Sequence, residues 1–135
     1  MVGIVARRYR CVACGAVIVV VPREVLFGRQ YSASAIGFAL ALYGLALCSA
    51  AEVRRRVCPA TIVGATAASG WATLRRWAHA ARDKPLVASW PLPALGSTLR
   101  EVSASVASAL AASAEPTTRA LSLFARAFFG AAHGA

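Results

Sequence analysis

Runs of β-branched residues open the chain, and helical spacing takes over from Ser32 onward. Residues 2–10 have the content of a short strand and residues 16–21 (AVIVVV) that of a stronger one, with Cys11-Val-Ala-Cys14-Gly15 between them. This order predicts a hairpin with a cysteine knuckle at its tip. Ser32 then offers an N-cap for a helix over residues 33–47. At ~100° per residue, that helix places Ile36, Leu40, Tyr43 and Leu47 on one face and Phe38, Leu42 and Leu45 on the opposite one. Having no polar face, it belongs either at the centre of a bundle or in lipid.

Ser49-Ala-Ala-Glu52 has the spacing of a capping box, with Ser accepting from a backbone N–H and Glu reaching back to the cap. A second helix therefore starts at residue 50, with Val53 and Val57 inward and Arg54, Arg55 and Arg56 outward. Cys58-Pro59 closes it, because the residue before proline is pushed out of the helical region. Residues 61–69 are Ala-rich and weakly helical, and Gly70 interrupts them. Residues 71–82 (WATLRRWAHAAR) form the best amphipathic pattern in the chain. Trp71, Leu74, Trp77, Ala78 and Ala81 share one arc, and Thr73, Arg75, Arg76, His79 and Arg82 occupy the rest.

Pro85, Pro91 and Pro93 mark a linker over residues 85–96, with Trp90 tucked against a neighbour. Beyond it, a helix beginning at Ser97 carries Leu99, Val102, Val106, Leu110 and Ala114 at helical spacing. Pro116 ends it, and Thr117 or Thr118 caps a last helix with Leu121, Phe124, Phe128 and Phe129. This Ala/Ser-rich tail has two readings, a loosely ordered segment or a surface for homo-oligomer contact. Four segments follow: a ribbon-like hairpin (1–31), a helix-turn-helix-like bundle (32–84), a Pro-rich linker (85–96) and a helical tail (97–135). The expected class is mainly α, with a short N-terminal β-hairpin equivalent to half a zinc ribbon.

Charge changes the picture of the second segment. Between Arg29 and Glu52 no side chain is charged, and at ~1.5 Å per residue the interval is long enough to cross a ~30 Å hydrocarbon core. Its six large aliphatic and Phe residues give only about −3 kcal/mol on an insertion scale, before Gly, Ser and Tyr are counted. Arg residues at both ends set no orientation, and a capped break has no purpose inside a span. A bundle is therefore the preferred reading, and a single membrane span near residues 33–51 is the alternative.

Fifteen Lys and Arg against five acids give a formal charge of +10 over 135 residues, which points to a polyanionic partner. The plainer alternative is an Arg-rich chain whose charged faces are only solvated. Taken with the helices, the charge suggests double-stranded DNA, with residues 71–82 as the recognition helix. Thr73, Arg76 and His79 would then meet base edges, and Arg54, Arg55, Arg56, Arg75, Arg82 and Lys84 the phosphates.

Four cysteines without a signal-peptide pattern suggest reduced thiols or metal ligands rather than a disulfide framework. Arg7, Arg8 and Arg10 precede an apolar run, but that run is short, contains Cys11 and Cys14, and ends without a small-residue cleavage site. Cys11 and Cys14 have knuckle spacing for zinc, and Gly15 permits the tight turn that follows. Cys48, Cys58, His79 and His133 stand apart from them, so the other reading is a ribbon-like hairpin whose first knuckle is absent or lies upstream of Met1. No thioredoxin-like pattern supports a redox role.

The acids are Glu24, Glu52, Asp83, Glu101 and Glu115, without the alternating strands and helices that would gather three of them for two-metal chemistry. Neither a nucleophile elbow nor a Gly-rich phosphate loop is present. The expectation is a protein that is not an enzyme.

Arg7-Arg-Tyr-Arg-Cys11-Val-Ala-Cys14-Gly15, then a strand and Pro22-Arg23, then Tyr31-Ser-Ala-Ser-Ala-Ile36, resembles the N-terminal zinc-ribbon and helix-turn-helix region of bacterial insertion-sequence transposases. The likeness covers residues 7–82. It implies zinc on Cys11 and Cys14, DNA-end binding by the helix from Trp71, and a cytoplasmic, nucleoid-associated place in a bacterium, the chain being a remnant of a mobile element. Two departures accompany it: the chain carries no second Cys pair to complete the metal site, and residues 58–69 separate two helices by more than a compact three-helix unit needs.

Overall fold

Helix α1 (Ala33–Gly44) is the centre of the molecule, and Ile36, Ala39, Leu40, Ala41 and Leu42 are all buried. The computed structural model describes residues 7–20, 31–58, 71–83, 86, 90 and 98–133. In chain order these form β1 (Arg7–Arg10), β2 (Val17–Val20), α1, α2 (Ala50–Val57), α3 (Ala72–Asp83), α4 (Leu99–Ser113), a 3-10 turn (Pro116–Thr118) and α5 (Leu123–His133). The protein is mainly helical with an antiparallel N-terminal hairpin, as the pattern predicts. Residues 61–69, most of the Pro-rich linker and Lys84 lie outside the described residues.

The closest packing joins α1 with α4 and α5, while α2 and α3 touch α1 more lightly and α3 rests mainly on α4. Both expected partners of α1 therefore meet it, and the C-terminal helices cover the larger share. The inward stripe of α4 is Val102, Val106, Ala107, Leu110 and Ala111; that of α5 is Ala127, Gly130 and Ala131. Small residues allow this intimacy. A Cβ on Gly44 would overlap the backbone of Ala104, and one on Gly130 would overlap the carbonyl of Leu110. Low side-chain volume brings helix backbones together, so dispersion contacts replace the area that larger side chains would bury.

Three element ends differ from expectation. The first helix stops at Gly44, and Leu47 lies exposed with φ +55° beyond it. The helix closes through the Leu45 and Ala46 N–H groups donating to the Ala41 carbonyl and the Cys48 N–H donating to the Leu42 carbonyl, and the Arg100 guanidinium donates to the carbonyls of Tyr43 (2.9 Å) and Cys48 (3.4 Å). Ser49 does cap α2 by accepting from the Glu52 N–H at 3.2 Å, but the Glu52 carboxylate turns to Arg56 at 2.6 Å instead of closing the box. The complete capping box is at Thr98 and Glu101, so Thr98 rather than Ser97 starts α4. The bonds from Thr98 hold the Glu101 carboxyl below its ordinary range. In the tail, Ser122 rather than a threonine accepts from the Ala125 N–H to cap α5, which leaves Leu121 outside the helix.

Among the described residues no helix is long and apolar enough to cross a membrane. The uncharged interval divides between α1 and α2, and α1 at about 18 Å is too short for a span. Its all-round apolar character is satisfied by protein on several sides.

Candidate nucleic-acid interface

Helix α3 is held by its aromatic end. Tyr31, Trp71 and Trp77 pack edge to face, with centroid separations of 5.5, 5.1 and 5.1 Å. Leu74, Ala78 and Ala81 extend the buried stripe along the helix. Burial, followed by a hydrogen bond and charge coupling to the Cys58 thiol, pushes the Tyr31 hydroxyl up to about 12. It stays protonated through the neutral range. The apolar stripe sets the rotation of α3, so Arg75, Arg76, His79 and Arg82 point to solvent while Thr73 is half-buried.

The exposed cations differ in their partners. Arg75 and Arg76 have none among the described residues. Arg82 pairs with the adjacent Asp83 at 3.2 Å. On α2, Arg55 and Arg56 are exposed and Arg54 is half-buried, with Arg56 bound to Glu52. An exposed i,i+4 pair of this kind contributes about 0–1 kcal/mol, so a phosphate can compete for its arginine. Helices α2 and α3 are not among the pairs in extensive contact. The two groups of expected contacts are therefore positioned by different neighbours, α2 by α1 and α3 chiefly by α4.

Cys11 and Cys14 are both exposed in the loop joining β1 and β2. The Cys11 N–H donates to the Ala16 carbonyl at 2.8 Å, and the Gly15 N–H donates to the Cys11 carbonyl at 2.9 Å. Gly15 has φ +73°, which a residue with a Cβ adopts only under strain. Backbone N–H groups of Cys14 and Ala13, then the Cys14 side chain, hold the Cys11 thiol below its ordinary value. Donors aimed at one sulfur favour its thiolate, the form that binds metal. Among the described residues, no three His, Cys, Asp or Glu side chains come together as a metal site. Cys48 is buried in the core, Cys58 sits beside Tyr31, and His133 is 2.8 Å from Glu115. The donor set at the hairpin thus fits half of a tetrahedral zinc site.

Several cations have roles that sequence reading does not assign. Arg100 holds the end of α1 and stacks 4.5 Å over the Tyr43 ring, and Arg126 donates to the Ala111 carbonyl at 2.8 Å. Both are partly buried and serve the fold. Arg7, Arg8 and Arg10 on β1 are exposed and add positive charge at the hairpin. Strand alternation hints at some of this exposure, but that no described helix packs extensively on the hairpin is a tertiary fact. Comparison with protein families, with curated proteins and with solved structures found no match.

Proposed function

We propose that the protein is a non-catalytic DNA-binding module, similar in role to the DNA-binding part of a transposase. One observation carries this reading: α3 is fixed through Trp71, Leu74, Trp77, Ala78 and Ala81, and it presents Arg75, Arg76, His79 and Arg82 outward. An amphipathic helix on which Arg75 and Arg76 have no partner among the described residues has the size and charge to enter a major groove, where Arg76 and His79 reach base edges. Arg75, Arg82 and the Arg54–Arg56 run act on phosphates. The formal charge of +10 steers the encounter. The nucleoid is the corresponding place of action.

Binding of labelled duplex to purified protein, followed by anisotropy across a salt series, tests this. A slope of log K against log salt of about −4 to −6 is expected for roughly five to seven neutralised phosphates. Replacing Arg75 and Arg76 together with Ala should reduce that slope by about 1, through the phosphate contact of Arg75, and relax sequence preference through the base contact of Arg76. It should leave thermal stability within ~0.5 kcal/mol, as both side chains are exposed. Protein that ignores duplex DNA at low salt sinks the proposal.

A further inference from the structure

The hairpin tip has an unfinished chemistry. Its two exposed thiols come from a Cys-x-x-Cys-Gly loop tied by the Cys11–Ala16 and Gly15–Cys11 backbone bonds. Zinc held by such residues takes four tetrahedral ligands, with sulfur at about 2.3 Å, and the loop supplies two. The other soft donors are committed elsewhere: Cys48 to the core, Cys58 to its place beside Tyr31, His133 to Glu115, and His79 to the outer face of α3.

Two further observations concern what surrounds the thiols. Arg10 folds back over the loop, its Nη2 lying 3.9 Å from where a Cβ on Gly15 would be, and it lines a shallow concavity with Cys11, Val12 and Gly15. Val12, between the two cysteines, is fully exposed at 104%, and Val17, Ile18 and Val20 behind it are exposed as well. No described helix packs extensively on the hairpin, and the exposure of Val12 leaves the tip open to a second copy. The tip thus combines half a ligand set, a nearby cation and uncovered apolar side chains.

We propose that Cys11 and Cys14 are half of a zinc site completed by a second copy of the chain, so that one Zn²⁺ joins two hairpin tips through four thiolates. Each thiol releases its proton on binding, four protons leave for one zinc, and no electron is transferred. The resulting centre is dianionic. Arg10 from each copy lies where it can offset that charge, and Val12 from each gains apolar cover at the junction. Sulfurs on a tetrahedron of this radius are about 3.8 Å apart, a spacing that two Cys-x-x-Cys loops can meet. The inference does not depend on DNA binding, and no nucleic acid enters its test.

The experiment uses the full chain, metal-free and kept reduced with a phosphine. Co²⁺ is titrated in while visible ligand-field bands and near-ultraviolet thiolate-to-cobalt absorption are followed, and zinc-loaded protein is then weighed by native mass spectrometry. Saturation at one metal per two chains is expected, together with a mass of two chains plus one zinc and a return to monomer on chelation. Cys11→Ser and Cys14→Ser should each abolish the metal-dependent dimer while leaving the helical circular dichroism unchanged. X-ray absorption on the unaltered zinc protein counts the ligands independently of any variant, and four sulfurs are expected. One metal bound per monomeric chain, two sulfurs rather than four, no thiolate band, or a dimer that survives chelation would each overturn the proposal.

Discussion

The N-terminal hairpin and the α1/α4/α5 core invert what their compositions suggest. The hairpin holds the densest β-branched run in the chain, yet Tyr9, Val17, Ile18 and Val20 are all more than half exposed. The core draws two of its three helices from an Ala/Ser-rich segment of modest hydropathy, yet Val102, Ala107, Leu110, Ala111, Ala127 and Ala131 are almost wholly inaccessible. A two-stranded ribbon has no third layer to cover it and is marginal alone in water. Helices lined by Ala and Gly approach until backbones touch, and every residue at the seam is then covered. Coverage depends on what comes to lie against a segment more than on how apolar that segment is.

Glycine offers the harshest way to break the comparison. Gly130→Val sets a side chain against the Leu110 carbonyl, which cannot move without separating α4 from α5. Its cost should be about 3 kcal/mol or more, at the upper end of overpacking, seen as a loss of cooperative thermal unfolding. Gly15→Ala at the hairpin turn strains one positive-φ residue by roughly 1–2 kcal/mol. It should leave the helical melting transition in place, because no helix depends on that turn. A Gly15→Ala variant that unfolds the helices would show the two regions to be one cooperative unit.

Truncation separates them next. Leu110→Ala empties a fully buried position between α1 and α5 and should cost about 2–5 kcal/mol in chemical denaturation. Ile18→Ala, on an exposed face of β2, should change stability by less than ~0.5 kcal/mol. A large effect at Ile18 would mean that this face of the hairpin is covered in solution.

At the edge of the core the comparison is sharpened by a titration confined to alkaline pH. Tyr31 holds its proton to about 12 in the fold, against the ordinary value of 10. The folded chain therefore retains this proton more strongly than the unfolded chain. Stability from this group is present below pH 10 and is lost as pH rises towards 12. Tyrosinate absorbance should show a step near pH 12 that Tyr31→Phe removes, and the same variant should flatten the alkaline decline in stability.

Local signals placed most elements well. Ser32 and Ser49 cap the helices their spacing predicts, and the Trp71/Leu74/Trp77 arc is the face that α3 buries. The outward row of Arg75, Arg76, His79 and Arg82 was legible for the same reason, since a helix that buries one arc must expose the other. The roles of Arg100 and Arg126 were not. In sequence each is one more cation, and only the fold brings it to carbonyls at another helix's end. Glu52 shows the limit within a motif, because the capping-box spacing was present but Arg56 four residues on took the carboxylate.

Read in isolation, the chain dictates its helix starts, its hairpin, the amphipathic arc of α3 and the Cys11/Cys14 pair, because caps, turns and periodicity act between residues close in sequence. Its tertiary structure decides that α1 is sheathed by α4 and α5, that α3 rests on α4, and that the hairpin tip stands uncovered. Those outcomes turn on how nearly two backbones can approach, a quantity that a small residue permits but does not announce.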